Sequence, residues 1–552
     1  MLKKLSIFAA ALSGTALPAQ QAADAVRRNS ELPSAACAPP TGRDSAAQQQ
    51  PPPVLIEGLG YAGLEPDSDN KAAIAWFRQG VRLVWAFDEV EAVRSFQMAQ
   101  KLDPPCALCF WGEAWARGPT INLRPRTAEL GAARKAALLA DELGGKLTPR
   151  DRLLVKTMLV RTKGEKTFDN ATYAGLLETA ALRNSQDDIL NVLAADARMI
   201  AEKPSAFKPG SLTQRLLERV LARTPQHIGA IHYYIHLTDW VDRSYLAVPH
   251  AERLGKIAPA ASHLVHMPSH SFFGVGRYRD AAAVNVAAIA ADRAYVQRVR
   301  PPESAYRTGL LAHNMHFAMN SALMRGDGGT ALATADLYRE TYGKRSEGGF
   351  RLLGSATAFA AGLHSPVADV LKLPEDKNTL SNALRHYARG EALARQGDPA
   401  AVRQEAKAIA AILGSNESAT LGSKTAQALV QVTQHVLEGR AAMLAGDPQA
   451  ASDAYFKGLQ KQVAANFSFD PPLFWYPVRR SYAASLLAAG DAGRAREHLF
   501  AVLQRWPNDP LALYTLSLAD RKLGDAASAD RNLARAKAGW AGDLSEVELW
   551  QI

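Results

Sequence analysis

The stretch WFRQGVRLVWAFDEVEAVRSFQMAQKLDPP, residues 76–105, carries the pattern that decides the fold. Trp76, Gly80, Ala92, Phe96, Ala99 and Pro104 stand in it at the spacing W-x3-G-x11-A-x3-F-x2-A-x4-P. Small residues at these intervals let helices approach closely, and the proline ends the last one because it has no N–H for a further turn. The pattern returns at Gly490, Ala495, Leu499 and Pro507, and at Gly524, Ala529 and Ala536. Gly390 with Gly397, and Gly439 with Gly446, supply the paired glycines of two more units. In the middle of the chain Gly276, Ala281 and Ala288 fit, as do Gly326 and Ala331, and Ala247, Leu254 and Pro259 fit more loosely. Self-similarity at a fixed period marks a repeat architecture, here of roughly eight to ten units.

This spacing resembles the tetratricopeptide repeat, whose 34-residue unit is a pair of antiparallel helices. The resemblance covers most of residues 70–540, is strong for Trp76–Pro104 and the last two units, and is weak between Thr127 and Leu193. It implies an all-α fold, an α-solenoid coiled into a right-handed superhelix with the first helix of each unit lining a concave groove. In that family positions 4, 8 and 11 of a unit pack inside, while positions 2, 5 and 9 face the groove. At about 100° per residue the latter three share an arc of roughly 60°.

Composition agrees with helices. Hydrophobic residues make up 47%, charged residues 21% and aromatics 7%, and β-branched runs are scarce. A chain of 552 residues is too long for one compact core, which again favours an extended array. The net charge is +10 and the isoelectric point about 9.4. No dense Lys/Arg tract with interleaved aromatics accompanies that charge, so nucleic acid is not an expected partner.

The N-terminus reads as an export signal. Lys3 and Lys4 precede an apolar run, Leu5 to Leu17, that is too short to span a bilayer, and small residues offer cleavage after Ala19 or Ala25. No later stretch is apolar enough to cross a membrane, so a periplasmic or secreted protein without stable membrane insertion is expected. Residues 1–25 are the signal peptide and 26–69 a disordered or linker leader, rich in Pro and Gln up to Pro53. Cys37, inside the leader, lacks the context of a lipidation site. Residues 70–225 form N-terminal repeat-like helices, 226–345 the central units, and 346–552 the C-terminal units.

The central units carry the chemistry. Registers set from Pro259, Gly276 and Gly326 place His232 and His236 at positions 5 and 9 of one unit. His263, His266 and His270 take positions 2, 5 and 9 of the next, and His313 and His316 positions 2 and 5 of a third, with Asn320 at 9. Nine groove positions thus hold seven of the chain's 13 histidines, where random placement over 552 residues would put about 0.2. A single groove histidine is an ordinary hydrogen-bonding residue. Seven on one stripe invite mutual repulsion once protonated, and a bound transition metal explains them better. Imidazoles three or four residues apart stand one turn apart on a helix, and neighbouring helices lie about 8–10 Å apart, so the seven can converge.

So many imidazoles exceed one tetrahedral site; they suit two ions, or one ion with further histidines around it. With no thiolate nearby, the all-nitrogen set leans to copper, with zinc or iron open. His263, nearest its helix start, is expected at the rim of the site. Asp239, at position 12, is the candidate catalytic carboxylate: a ligand, a base, or the group that orients a histidine. Tyr233, Tyr234, Phe272 and Tyr278 read as core, while Trp240 and Phe273 can shape a pocket for a small or aromatic substrate. The segments H-Y-Y-I-H (232–236) and H-x-x-H-M-P-S-H (263–270) resemble those of exported bacterial repeat proteins with histidine-rich groove helices.

Other signals are weaker. Cys106-Ala-Leu-Cys109 reads as a local structural disulfide, with a redox pair or simple packing as alternatives. Glu113 reads as a buried structural acid, and Asp196 and Glu202 as solvated groove acids. No phosphate-binding glycine loop, nucleophile elbow or dinucleotide fingerprint is present. The expected function is a metal-dependent enzyme, an oxidoreductase using copper or iron on a small molecule, with hydrolysis second. The alternatives are a peptide-binding scaffold, as the fold usually serves, or metal storage and delivery.

Overall fold

In the computed structural model, the stretch that opens the repeat pattern forms two helices, Lys71–Trp85 and Glu89–Leu102, packed against each other. The structure describes residues 51–552 except 62, 124–126, 303, 346–347 and 467–469. The Asn70 side chain caps the first helix by accepting from the Ala72 and Ala73 N–H groups, and Asp88 caps the second through Glu91 N–H. Phe96 fits between Gly80 and the following helix, Ala107–Ala116; a Cβ at Gly80 or Gly112 would lie 2.7 or 2.3 Å from its ring. The glycine and phenylalanine of the motif are therefore a single contact that sets how closely three helices stack.

The same hairpin chemistry recurs down the chain as a Gly-Asp dipeptide. Gly326, Gly397, Gly446, Gly490 and Gly524 all adopt φ between 72° and 91°, a region open to glycine. The next residue in each case, Asp327, Asp398, Asp447, Asp491 or Asp525, caps the second helix of its pair through a backbone N–H three residues on. Among the described residues there is no strand, and successive helices pack in chain order. The protein is an all-α solenoid of tetratricopeptide-type helix pairs. The weakly patterned region keeps the architecture through helices Thr127–Leu143, Pro149–Thr162, Asn170–Arg183 and Asp188–Ala201. Cys106 and Cys109 form a disulfide at the start of Ala107–Ala116, the structural reading of that motif.

Two features depart from an open superhelix. The expected signal peptide and the leader up to residue 50 lie outside the described residues, but three apolar residues of the stretch expected as linker are packed. Ile56, Leu59 and Leu64 are buried; Ile56 N–H donates to Gln79 Oε1 at 2.7 Å, and Ala260 N–H to the Gly58 carbonyl at 3.0 Å. These apolar residues were lost in the average over a polar, proline-rich stretch.

The second departure is closure. The C-terminal units return to the central helices through Asn508 Nδ2, which donates to the Val275 carbonyl at 2.8 Å, and Ala541 N–H, which donates to the Arg325 carbonyl at 2.7 Å. Arg505 and Asp242 form an ion pair across the same seam. From the N-terminal side, Tyr295 Oη donates to Asp88 Oδ2 at 2.6 Å. Asp470 and Pro472 of the connection before helix Arg479–Ala488 reach His270 and Asn320, so the histidine face is covered instead of lining an open groove. No helix among the described residues is long and apolar enough to cross a membrane.

Candidate metal centre

Three helical stretches present the histidines: Ile228–Trp240, the broken pair Ser262–His266 and Pro268–Gly274, and Ala305–Met324. Pro268 starts the second half of the broken pair, where its missing N–H costs no helical hydrogen bond. All seven histidines are buried, at 0–4% exposure. Their side chains, expected to line an open groove, instead carry packing, because the array closes over them.

They sort into two triads. His232, His236 and His263 bring one ring nitrogen each within 4.8 Å of one another, and His266, His270 and His313 do the same. In the first, His236 Nε2 and His263 Nε2 lie 3.2 and 3.1 Å from His232 Nε2. In the second, His266 Nε2 and His270 Nε2 are 3.0 Å apart. Nitrogens bound to one tetrahedral ion at about 2.0–2.1 Å are themselves about 3.3 Å apart, so both groups are near the required spacing. The triads adjoin: the His263 and His266 ring centres are 5.8 Å apart, as are those of His236 and His270.

Helix geometry explains the division. Residues i and i+4 differ by about 40° around the axis, and residues i and i+3 by about 60° in the other sense. The i,i+4 pairs, His232/His236 and His266/His270, each share a triad. The i,i+3 pairs do not: His263 and His266 go to different triads, and His316 joins neither. His316 was expected to converge with the others; instead Asn320 Nδ2 donates to its Nε2 at 3.1 Å. Four residues after His313 stands Phe317, whose ring lies 5.4, 5.2 and 5.6 Å from those of His266, His270 and His313 and walls the second triad. His263, expected at the rim, is instead a full member of the first triad.

The partners of the other ring nitrogens set the tautomers. His232 Nδ1 faces the Trp85 carbonyl at 2.7 Å, so it carries the proton and leaves the Nε2 lone pair free. His266 Nδ1 faces Asn285 Oδ1 at 2.7 Å, and Asn285 is held in that orientation by donating to the Ala281 carbonyl. His270 Nδ1 donates to Asp470 Oδ2 at 2.5 Å. The Nε2 atoms of His266 and His270 therefore meet lone pair to lone pair unless a cation, a proton or a metal ion, lies between them. Burial opposes the proton: it pushes His232, His266 and His316 down to about 3, and His236, His263 and His313 well below the ordinary imidazole range. Buried imidazoles, three of them with the tautomer fixed by a partner, fit a transition metal.

Asp239 lies with Asp470 at the outer side of His270, the three offering donor atoms within 4.8 Å of one another. Burial, then the charge of Asp470, pushes the Asp239 carboxyl up to about 7. Burial works against the charge on Asp470 too, but His270 and Asp239 hold that carboxyl below its usual range. Asp239 thus stands behind a ligand position of the second triad, and Ser244 Oγ donates to it at 3.2 Å.

Sequence reading missed Asp470, Asn285 and Phe87. Asp470 is 200 positions from His270, in a connection outside the repeat pattern, and only its place beside Pro471 and Pro472 distinguishes it. Phe87 stacks on His263 with ring centres 5.4 Å apart and tilts over His232 at 4.4 Å. It does so at φ 58°, a left-handed conformation costing a bulky residue about 1–2 kcal/mol. A cavity of about 350 Å³ adjoins Phe87 and His263. Trp240 and Phe273 are not part of its lining; Phe273 packs on Tyr278, Phe317 and Trp506. Asp196, expected to be solvated, is buried and pushed up to about 6 by that burial, whereas Glu202 is exposed. Glu113 is buried in an ion pair with Arg117, as expected.

No protein-family model matches the chain, and no curated protein matches it. Among solved structures it is similar to Naa15/Naa10 bound to HypK-THB, at 12% identity over 87% of this chain and 90% of that one, TM-score 0.22. It is similar to the human IFIT1 dimer with m7Gppp-AAAA, at 12% identity over 86% and 91%, TM-score 0.29. The TPR domain of P58(IPK) aligns at 12% identity over 82% and 99%, TM-score 0.21. The overlap is too loose for any part of a site to correspond.

Proposed function

We propose that each triad holds one transition-metal ion, copper in preference to iron or zinc, and that the paired centre oxidises a small molecule. The observation that carries this reading is the arrangement of six buried imidazoles, five of them held neutral by burial, as two adjoining sets of three, with no thiolate among them. A metal ion there supplies redox or Lewis-acid chemistry. The chain's own part is to fix ligand tautomers through Trp85, Asn285 and Asp470, to exclude water with Phe87 and Phe317, and to hold a proton between Asp239 and Asp470. Asp239 acts through His270 as a positioning residue. The protein works after export, in the periplasm or outside the cell.

Elemental analysis of the full chain from copper-supplemented cells tests the reading. Two ions per chain are expected in the wild type and one in the His266→Asn/His270→Asn double variant, which keeps most of the buried volume and whose circular dichroism is measured alongside to show that the helices remain. A wild type without metal would leave a binding scaffold as the reading, and a double variant with full metal content would refute the second triad as a ligand set. Metal without turnover of any oxidisable compound would make the protein a metal store or carrier.

A further inference from the structure

The cavity beside the first triad brings together more carboxyl groups than its own cations can pair. It lies where helix Lys71–Trp85 turns into Glu89–Leu102 and faces helices Tyr278–Val299 and Ala305–Met324. Leu83, Val90, Val93 and Leu310 give it apolar walls. Asp88, Glu89 and Asp292 add three carboxyl groups. Asp88 is occupied, since it accepts from Tyr295 Oη and caps a helix. Asp292 is only 6% exposed, yet it has no hydrogen bond or ion pair among the described residues. Glu89 Oε1 is sealed from solvent and has no partner either.

The cations around the cavity are largely committed elsewhere. Arg94 pairs with Glu91, and Arg117 with Glu113 at 2.8 Å and Glu129 at 2.6 Å. Arg307 remains; it forms no ion pair within 4.0 Å among the described residues, and its Nε has no partner. One guanidinium thus stands against three carboxyl groups. A buried carboxylate without a partner is costly, and a missing partner that supplies several N–H donors at once is an ammonium group. A bare metal ion suits the cavity less well, because these acids do not bring three donor atoms within 4.8 Å of one another and the walls are apolar.

We propose that this cavity binds a small organic cation, a protonated amine on an apolar body of about one ring, and presents it to the first triad at His263. The ammonium lies between Asp292 and Glu89, and the apolar body lies along Phe87. A volume of about 350 Å³ is at the small end of ligand pockets, which span about 300–1,000 Å³. Burial pushes both carboxyl groups above their ordinary range, and a bound ammonium reverses that by favouring the ionised forms. Binding of the amine stands on the cavity alone; its presentation to a metal rests on the function proposed above.

Calorimetric titration of the full chain, metal-free and copper-loaded, with 2-phenylethylamine, the neutral 2-phenylethanol and the anionic 3-phenylpropionate separates these claims. The amine should bind the metal-free chain at least about tenfold more tightly than the alcohol, and the anion should bind more weakly still. Asp292→Asn and Glu89→Gln should each weaken amine binding by about tenfold while leaving circular dichroism and copper content unchanged. Equal or tighter binding of the anion, no binding of the amine, or unchanged affinity in both variants overturns the proposal. In the copper-loaded chain the amine should shift the visible or paramagnetic resonance spectrum of the metal; binding without any shift overturns the presentation to His263. A chain that binds the amine but never copper refutes the metal reading and leaves the cavity site standing.

Discussion

The first triad is oriented by the main chain and the second by side chains. The Trp85 carbonyl fixes His232, whereas Asn285 and Asp470 fix His266 and His270. The first borders a cavity through His263 and is covered by Phe87; the second is walled by Phe317 and backed by two carboxyl groups. A carbonyl partner changes only if the backbone moves, so it supplies constancy. A carboxylate partner raises the basicity of its imidazole and can be tuned by one substitution. Two adjoining sets of imidazoles are thereby made chemically unequal: one borders a cavity and the other is backed by carboxyl groups.

The largest effect expected is one that the buried histidine stripe shares across both triads and His316. His232, His236, His263, His266, His313 and His316 are all held below the ordinary value of 6.5 by burial. The unfolded chain therefore binds more protons than the folded one below about pH 6.5. The stability contributed by these groups is complete above that value and falls as pH drops towards the lowered folded values, near 3 where a value is resolved. One pH unit below 6.5, six such groups forfeit roughly 8 kcal/mol between them, comparable with the whole stability of a typical domain. The metal-free protein should lose its helical signal between about pH 6.5 and 5, and the metal-loaded protein should keep it lower. Denaturant titrations across that range check this; a flat profile in the metal-free protein would show that the imidazoles are not held neutral.

The intermediate effect sharpens the contrast between the triads. Asp470→Asn replaces a charged acceptor with an amide and should weaken metal binding about 10–100-fold at the second triad. The first triad, oriented by a carbonyl, should retain its ion. Competition with a graded chelator resolves the two affinities, and equal weakening of both would erase the distinction. The smallest effect belongs to the histidine outside both groups. His316→Ala should leave metal content at the wild-type number, while His313→Ala should lose affinity at the second triad. A loss of metal in the His316 variant would mean that the ligand sets are divided differently.

Much of the fold was legible because each repeat states its own landmarks. Gly80 and Phe96 are one contact, and the glycine at each later hairpin marks a left-handed turn. The stripe of seven histidines was legible for the same reason. Its division was not, since a stripe about 60° wide treats i,i+3 and i,i+4 neighbours alike, and only the actual angles send His263 and His266 to different centres. Burial of the stripe was hidden as well. Repeat logic describes an open array, and nothing local in Asp470-Pro471-Pro472 announces that it returns to His270. The acids of the cavity come from separate helices, with Glu89 and Asp292 more than two hundred residues apart, and no local pattern joins them.

The bond between His270 and Asp470 also imposes an order on biogenesis. The imidazoles all lie within the first 316 residues, but the group that sets the tautomer of His270 is made more than 150 residues later. A nascent chain holds the imidazoles without the clasp. On the reading proposed above, metal taken up at that stage would meet an unfinished second triad, and full loading would wait until the C-terminal arm has docked. On that reading, arrival of the last quarter of the chain completes the second triad, and a proteolytic cut between the two would remove its clasp while leaving every imidazole in place.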